Sequence, residues 1–432
     1  MPFPQLEEQA RRVAAYLQQA GLQQQPVLLL FPIGLGFLSG YFGCLLAGAV
    51  AVPAPLPQLG RTQRLLPRIL GILKDAAPAL ILTDRQGFPV LSALVAESPT
   101  FAAIPLRTVE ELLETPASLF QPRPLAPDAV AHLQYTSGST SEPRAVMISH
   151  HNLMACSRQI QHNKGFTADS LSVMWVPPYH DDGLVQGLLQ PLYSGINCIL
   201  MSPTDVMAHP GRWLKAISEH RATHSGGPNF LYEVAYHRVP ETLLPELDLS
   251  SWRYAYNAAE PIRWETLRRF FERFERCGLR WSTLAPCYGL AEATLVVSAT
   301  RPGDGPVQQV IDGLKLDRTG QLERVAPDHS TARTLVSSGR VVLDTEVTIV
   351  EPGGTRRLPP EQVGEILVKN DSVALGYRGQ PEATAQTFGA HLDDGSGPWL
   401  RTGDLGVLSE EHLYVTGRYK DLIILRGENR YP

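Results

Sequence analysis

Residues 135 to 146, "YTSGSTSEPRAV", set Thr136, Ser137, Gly138, Ser139, Thr140 and Ser141 in one unbroken run. Such a run offers backbone N–H groups and hydroxyls as ligands for phosphate oxygens. Gly138 lets the backbone approach closely, Pro143 stiffens the exit, and Arg144 supplies a cation for polyphosphate charge. The spacing is not GxxxxGK[ST], so this is no Walker A loop. Taken alone, the run favours a phosphate loop over a serine-rich surface turn only slightly. Other chemistry-bearing stretches follow at a distance. "WVPPYHDDGLVQGLLQPLYSG" (175–195) carries Tyr179, His180, Asp181 and Asp182 between a strand and an apolar helix. "YNAAEPIRWETL" (256–267) sets small residues before Glu260 and Pro261. "CYGLAEATL" (287–295) holds Tyr288 and Glu292, "WLRTGDLG" (399–406) holds Asp404, and "GRYKDLIILRGENRYP" (417–432) holds Arg418, Lys420 and Asp421.

These residues need a scaffold. The 432 residues are 44% hydrophobic and 19% charged, enough for two or three domains or one large composite body. Lys plus Arg is 38 against 43 Asp plus Glu, a net charge of −5, which argues against a nucleic-acid-wide basic surface. The five cysteines are scattered and form no CxxC pair, so a reducing cytoplasm is expected and a disulfide framework or structural zinc is not. The adjacent His150 and His151 read as a helix start.

Residues 26 to 60 carry no charge and are long enough to cross a bilayer, but Pro32, Gly34 and Gly36 break the run early and Pro53, Pro55 and Pro57 late. The better reading is a buried strand at Val27–Phe31, a helix over Leu35–Ala47 and a short strand at Ala49–Val52, with no membrane span and no secretory signal. Helical spacing of Leu6, Val13, Ala14 and Leu17 precedes them. "RLLPRILGILKDAAPALILT" reads as helix then strand, "VLSALVAES" as a helix, "VAHLQYT" as the strand entering the hydroxyl run, and "RWETLRRFFERFERCG" as an amphipathic helix. Alternation of this kind predicts an α/β fold with largely parallel strands. From about residue 335, "GRVVLDTEVTIVEP", "VGEILVKN" and "HLYVTGR" predict a smaller β-rich subdomain. The expected division is 1–334, two layered αβ subdomains; 335–421, the β-rich subdomain; and 422–432, the start of a linker, the strand-like run Leu422–Leu425 being followed by almost nothing.

In this order, the stretches resemble the adenylate-forming superfamily of acyl-CoA synthetases, peptide-synthetase adenylation domains and luciferases. "YHDDGL", "GGPNF" (226–230), "YGLAEATL" and "GRYKDLIILRGENRYP" are similar to the versions found in fatty acyl-AMP ligases. The stretch 310–339 sits where that branch carries an insertion that acyl-CoA synthetases lack. The resemblance implies a large adenylation domain with a barrel-like third part, and a small C-terminal domain beyond this chain that would carry a catalytic lysine. A fragment of that kind is expected to be weakly active or inactive alone.

The implied reaction joins a fatty acid to ATP in the presence of Mg²⁺, releases pyrophosphate, and passes the acyl group to an acyl carrier protein, in a cytoplasmic monomer. Thr136, Ser137, Gly138, Ser139, Thr140 and Arg144 would hold the β- and γ-phosphates. Arg144 stands at the usual lysine position, and Ser141 and Ala145 replace usual glycines. Glu292 would bind Mg²⁺, Tyr288 with Gly289 would meet adenine, and Ala258, Ala259 and Glu260 would line its edge. Asp404 would accept from the ribose hydroxyls and Arg418 would contact ribose or phosphate. His180 would position the carboxylate, Gly227, Pro228 and Asn229 would shape the wall towards the acyl chain, and Asp421 would be the hinge. Two other readings fit the residues: an acyl-CoA synthetase, and a non-catalytic module binding nucleotide or acyl chain.

Overall fold

The computed structural model describes residues 1–57, 62–136, 143–421, 423–425 and 428–430. The chain divides into two compact units. The first comprises Met1–Leu153, Pro177–Leu184 and Ala374–Pro381; the second comprises Met154–Val176, Val185–Val373 and Glu382–Pro432.

The first unit is built on a six-stranded sheet in the order Leu106–Thr108, Leu80–Thr83, Pro26–Phe31, Val50–Pro55, Val130–Thr136, Arg144–Ser149. The first five strands run parallel and the last is antiparallel. Every residue of Pro26–Phe31 and Val50–Pro55 is buried, which explains the uncharged run: a parallel strand covered on both faces reads as continuous apolar sequence. The helix Leu35–Ala47 lies where the pattern predicts it. Among the described residues, no helix is long and apolar enough to cross a membrane.

The strand expected at Ala49–Val52 instead runs Val50–Pro55, through two prolines that the pattern reads as breaks. It pairs on one side with Pro26–Phe31 as far as Phe31↔Pro55, but on the other only at Ala51↔His132. A proline nitrogen beyond that point forfeits no ladder bond, so the usual objection to proline in a strand does not apply.

The second unit carries an eleven-stranded sheet. Its parallel half runs Leu284–Gly289, Tyr254–Ala258, His224–Pro228, Leu171–Met174, Asn197–Leu200. From Leu284–Gly289 it continues antiparallel through Val296–Ala299, Arg340–Val341, His412–Arg418, Leu400–Ser409, Gly364–Lys369 and Glu346–Val350. The strands predicted beyond 335 therefore extend one hydrogen-bonded sheet, joined to its parallel part at Val296–Ala299.

Helices Pro210–Glu219, Asn229–Arg238 and Trp264–Phe274 cover the parallel half through an aromatic cluster. Trp213 meets Trp252 edge-on at 5.2 Å, and Tyr232 meets Phe270 edge-on at 4.9 Å. Such pairs contribute ~0.5–1.5 kcal/mol each beyond the area they bury. The indole of Trp213 also donates to Ser225 Oγ at 2.8 Å, locking the cluster to the strand below.

Candidate active site

Three adjacent parallel strands end together. Pro228 is the register partner of Ala258, Asn257 that of Pro286, and Tyr288 and Gly289 close the third strand. In open α/β sheets the carboxyl ends of strands are where ligands bind. Backbone strain gathers at the same ends. Ala259 sits at φ +69° and Thr294 at φ +65°, positive values that are uncommon for alanine and an outlier for a β-branched residue; Thr294, at ψ −52°, is the centre of a tight turn closed by Leu295 N–H to Ala293 O at 2.7 Å. Strain of this sort costs about 1–3 kcal/mol and clusters at functional sites.

The wall at Gly226–Gly227 has no room for a side chain. A Cβ on Gly226 would lie 2.2 Å from Tyr256 O, and one on Gly227 would lie 2.6 Å from Trp175 Cζ2. The same indole donates to Gly226 O at 2.8 Å. Gly227→Ala is therefore expected to destabilise the fold by about 1–3 kcal/mol, read as a lower midpoint in urea. An unchanged midpoint would mean that Trp175 is free to move.

Asn229, predicted to shape the wall towards the acyl chain, is buried and hydrogen-bonded through both amide atoms. Its Oδ1 accepts from Asn257 Nδ2 and Arg263 N–H, and its Nδ2 donates to Thr266 Oγ1, each at 3.3 Å. Together these tie down the segment bearing Ala258–Glu260. Glu260 is exposed, and its Oε1 accepts from Phe230 N–H at 2.5 Å.

On the antiparallel side, Asp404 and Arg418 are direct register partners. Arg418 Nε lies 3.3 Å from Asp404 Oδ1, and the Tyr288 hydroxyl donates to Asp404 Oδ2 at 2.7 Å. Thr402 Oγ1 accepts from Asp404 N–H at 3.0 Å and donates to Ile366 O at 2.7 Å, with Gly403 between them at φ +70°. Burial pushes the Asp404 carboxyl up, against the opposing pull of Tyr288, Arg418 and Lys420. Burial also raises the Tyr288 phenol well above its usual range, with the Asp404 charge adding to it, so Tyr288 remains a neutral donor. A carboxylate held against desolvation by a convergent donor and a cation is typical of functional sites.

Glu292 is half-buried between buried Ala291 and Ala293, on the single 3₁₀ turn Ala291–Ala293. Thr294 Oγ1 donates to Ser372 O at 2.6 Å and pins that turn. Glu292 is near enough to Tyr288 for its charge to add to the rise of that phenol.

In the first unit, Thr136 and Arg144 face each other in register as the last pair before the connection of an antiparallel hairpin. The guanidinium of Arg144 lies 5.5 Å from the Tyr377 ring centre. Ser137, Gly138, Ser139 and Thr140 lie outside the described residues. Gln134, on the strand entering the run, donates from Nε2 to Tyr179 O at 2.9 Å and so fixes the segment that carries His180.

His180 Nδ1 is 2.7 Å from Asp181 Oδ1. Asp182 N–H lies 2.8 Å from Asp181 Oδ1 and 3.3 Å from His180 Nδ1. The shorter contact satisfies that N–H, leaving Nδ1–H to donate to Asp181. Burial alone would lower the imidazole, but Asp181 and then Asp182 outweigh it and raise His180 to about 9. The imidazolium is thus favoured below that pH and lost as pH rises through it. Adenylate formation by the wild type is expected to hold to about pH 8.5 and fall as pH passes about 9. In Asp181→Asn the fall should move down by about one unit or more. Superimposable pH–rate profiles would exclude His180 as the titrating group.

The apolar helix expected after "YHDD" is wound as a π-helix over Asp182–Leu189, a rare form that is frequent at functional sites. Asp421 is exposed on the 3₁₀ turn Tyr419–Asp421, and Leu422 lies outside the described residues. Sequence reasoning gives no role to Gln134, Asp181 or Thr402. Of these only Thr402 carries a signal, since a Thr two residues before an Asp makes a local hydroxyl-to-backbone turn.

Fold and site together define a nucleotide-activating enzyme of the AMP-binding class, and residues 1–378 match the family model described as AMP-binding enzyme. The chain is 44% identical over its whole length to a medium-chain-fatty-acid–[acyl-carrier-protein] ligase, JamA, of Moorena producens, of which it covers 74%. It superimposes on the fatty acid AMP ligase of Legionella pneumophila with TM-score 0.92 at 38% identity, over 98% of this chain and 72% of that one. A fatty acyl-adenylate ligase of L. pneumophila, in complex with acyl adenylate and pyrophosphate, matches with TM-score 0.90 at 39% identity over the same shares. The chain belongs to the fatty acyl-AMP ligases within the AMP-binding enzymes.

Proposed function

We propose that the protein activates a medium-chain fatty acid as its adenylate and delivers the acyl group to an acyl carrier protein. A carboxylate oxygen attacks the α-phosphorus of ATP, the bond from that phosphorus to the bridging oxygen breaks, and pyrophosphate leaves with the electron pair. The observation that carries this reading is the Tyr288–Asp404–Arg418 cluster beside the strand ends. A buried carboxylate fixed from two sides is suited to accept from both ribose hydroxyls, and in-line displacement depends on such fixing.

Tyr288 orients Asp404 in this scheme and leaves its ring face for the base. Arg418 screens negative charge, Arg144 does the same at the phosphate end, and His180 offers Nε2 to the fatty-acid carboxylate, Nδ1 being taken by Asp181. Among the described residues, no group of three or more His, Cys, Asp or Glu could hold a metal by itself. A lone carboxylate fits Mg²⁺, which is held by one or two carboxylates plus substrate phosphates. Glu292 is the residue that would hold it, and the ion when bound offsets charge on the phosphates.

The test, run on the protein together with the C-terminal domain that the resemblance implies, is pyrophosphate release with ATP, Mg²⁺ and acids of six to sixteen carbons, followed by mass spectrometry of a carrier protein. Acylated carrier protein with no thioester on free CoA is the expected result. Acyl-CoA formation from free CoA would make the protein an acyl-CoA synthetase instead.

A further inference from the structure

The strands that present the candidate active site at their carboxyl ends carry a different assembly at their amino ends. A depression of about 500 Å³ opens there, lined by Asp169, His220, Arg221, Arg253 and Arg280 with Leu171, Thr223, Ser250 and Ser251. Its volume lies within the range of small-molecule pockets, yet a single leucine is its only apolar wall residue. Leu171 opens its strand, and Thr223 and Arg253 immediately precede theirs. A strand of five residues spans roughly 16 Å, so this pocket and the candidate active site occupy opposite ends of the same sheet.

Three arginines converge on the pocket and only one carboxylate, Asp169, lines it. Arg280 is held by neutral groups, donating to Ser250 O at 3.1 Å and Trp252 O at 3.4 Å, so its position is fixed without an ion pair among the described residues. Among the described residues the Arg253 guanidinium makes no hydrogen bond or ion pair, although its backbone N–H is anchored to Thr223 O at 2.8 Å. Arg221 reaches Asp248 at 3.4 Å, both largely exposed, a pairing worth little in water. Arg221 sits at φ +51° as the left-handed end of the helix Pro210–Glu219, its N–H reaching Ser218 O at 3.2 Å, which fixes its backbone at the rim of the pocket. The hydroxyls add little. Ser251 Oγ donates to Ala222 O at 3.1 Å, and Thr223 Oγ1 is occupied by Leu171 and His224.

We propose that this pocket binds a phosphate-class oxyanion. One guanidinium fork saturates a planar carboxylate, whereas three guanidinium-bearing residues lining one depression suit a tetrahedral anion with several oxygens. Asp169 weakens the site, since it opposes any anion that the arginines attract.

The test is calorimetry on the whole protein with inorganic phosphate, pyrophosphate and glycerol 3-phosphate, each run on the wild type and on the pocket variants so that heat from the catalytic phosphate subsites, common to both, subtracts out. A saturable heat for at least one of these anions is expected. Arg221→Ala with Arg253→Ala should weaken it about tenfold or more, and Asp169→Asn should tighten it about threefold. Both arginines are exposed, and an unchanged thermal midpoint confirms that the double variant is folded. Tighter binding of the monoester would assign the site to a phosphorylated metabolite, and tighter binding of phosphate or pyrophosphate to the free ion. Absence of saturable binding, or binding unchanged in the double variant, overturns the proposal.

Discussion

Asp404→Ala is expected to lower the rate of ATP–pyrophosphate exchange by about 10²–10³-fold at subsaturating ATP. Three losses combine. The acceptor proposed for the ribose hydroxyls disappears, and hydrogen bonds to a charged acceptor contribute about 1.5–3 kcal/mol each. The Tyr288 hydroxyl, which donates to Asp404 at 2.7 Å, loses its partner and is free to turn. Arg418 loses the carboxylate that holds it in register across the strand pair. The effect should fall on kcat/KM for ATP more than on the KM for the fatty acid, because these contacts belong to the nucleotide. Circular dichroism should show a folded protein, as Asp404 lies in a ten-residue strand paired on both sides. Exchange within about threefold of the wild type would remove Asp404 from the site.

The second large effect is expected at Glu292. Glu292→Gln keeps the shape and removes the charge, so the 3₁₀ turn and its Thr294–Ser372 pin should survive. Preorganised charge at a phosphoryl centre contributes strongly to catalysis, and losing one such group costs about 10²–10³-fold in kcat. The Mg²⁺ concentration giving half-maximal rate should rise in the same variant, while the fatty-acid KM stays near its starting value. An unaltered Mg²⁺ dependence would separate Glu292 from the metal even if the rate fell.

Much of this arrangement is legible in the sequence, for reasons that differ by residue. The parallel strands announce themselves because burial on both faces demands continuous apolar runs, as at Pro26–Phe31. The left-handed residue Ala259 is foreshadowed only as a small residue in a turn; its strain depends on the surrounding backbone and has no local signature. Tyr288 is expected from its motif to stack on adenine, but its bond to Asp404 spans 116 residues, a separation that spacing cannot reveal. Asp181 reads as one of two adjacent acids, yet it sets the protonation of His180. Lys164 shows the limit most clearly. No role is read for it from the sequence, yet it is buried, donates to Gln186 and lies 5.3 Å from the Tyr256 ring centre. Nothing in its neighbours marks a lysine for the interior; only the closing of the sheet around Tyr254 and Tyr256 does.

The paired glycines at 226 and 227 bear on how the protein could answer a selective inhibitor. Resistance commonly arises when a wall residue grows and crowds out the compound. Here that route is blocked from behind, because any added carbon collides with Tyr256 O or the Trp175 ring before it reaches a ligand. A compound whose binding rests chiefly on this stretch would press on a surface that single substitutions can thicken only at the expense of the fold. Escape would have to come from more permissive positions, such as exposed Glu260.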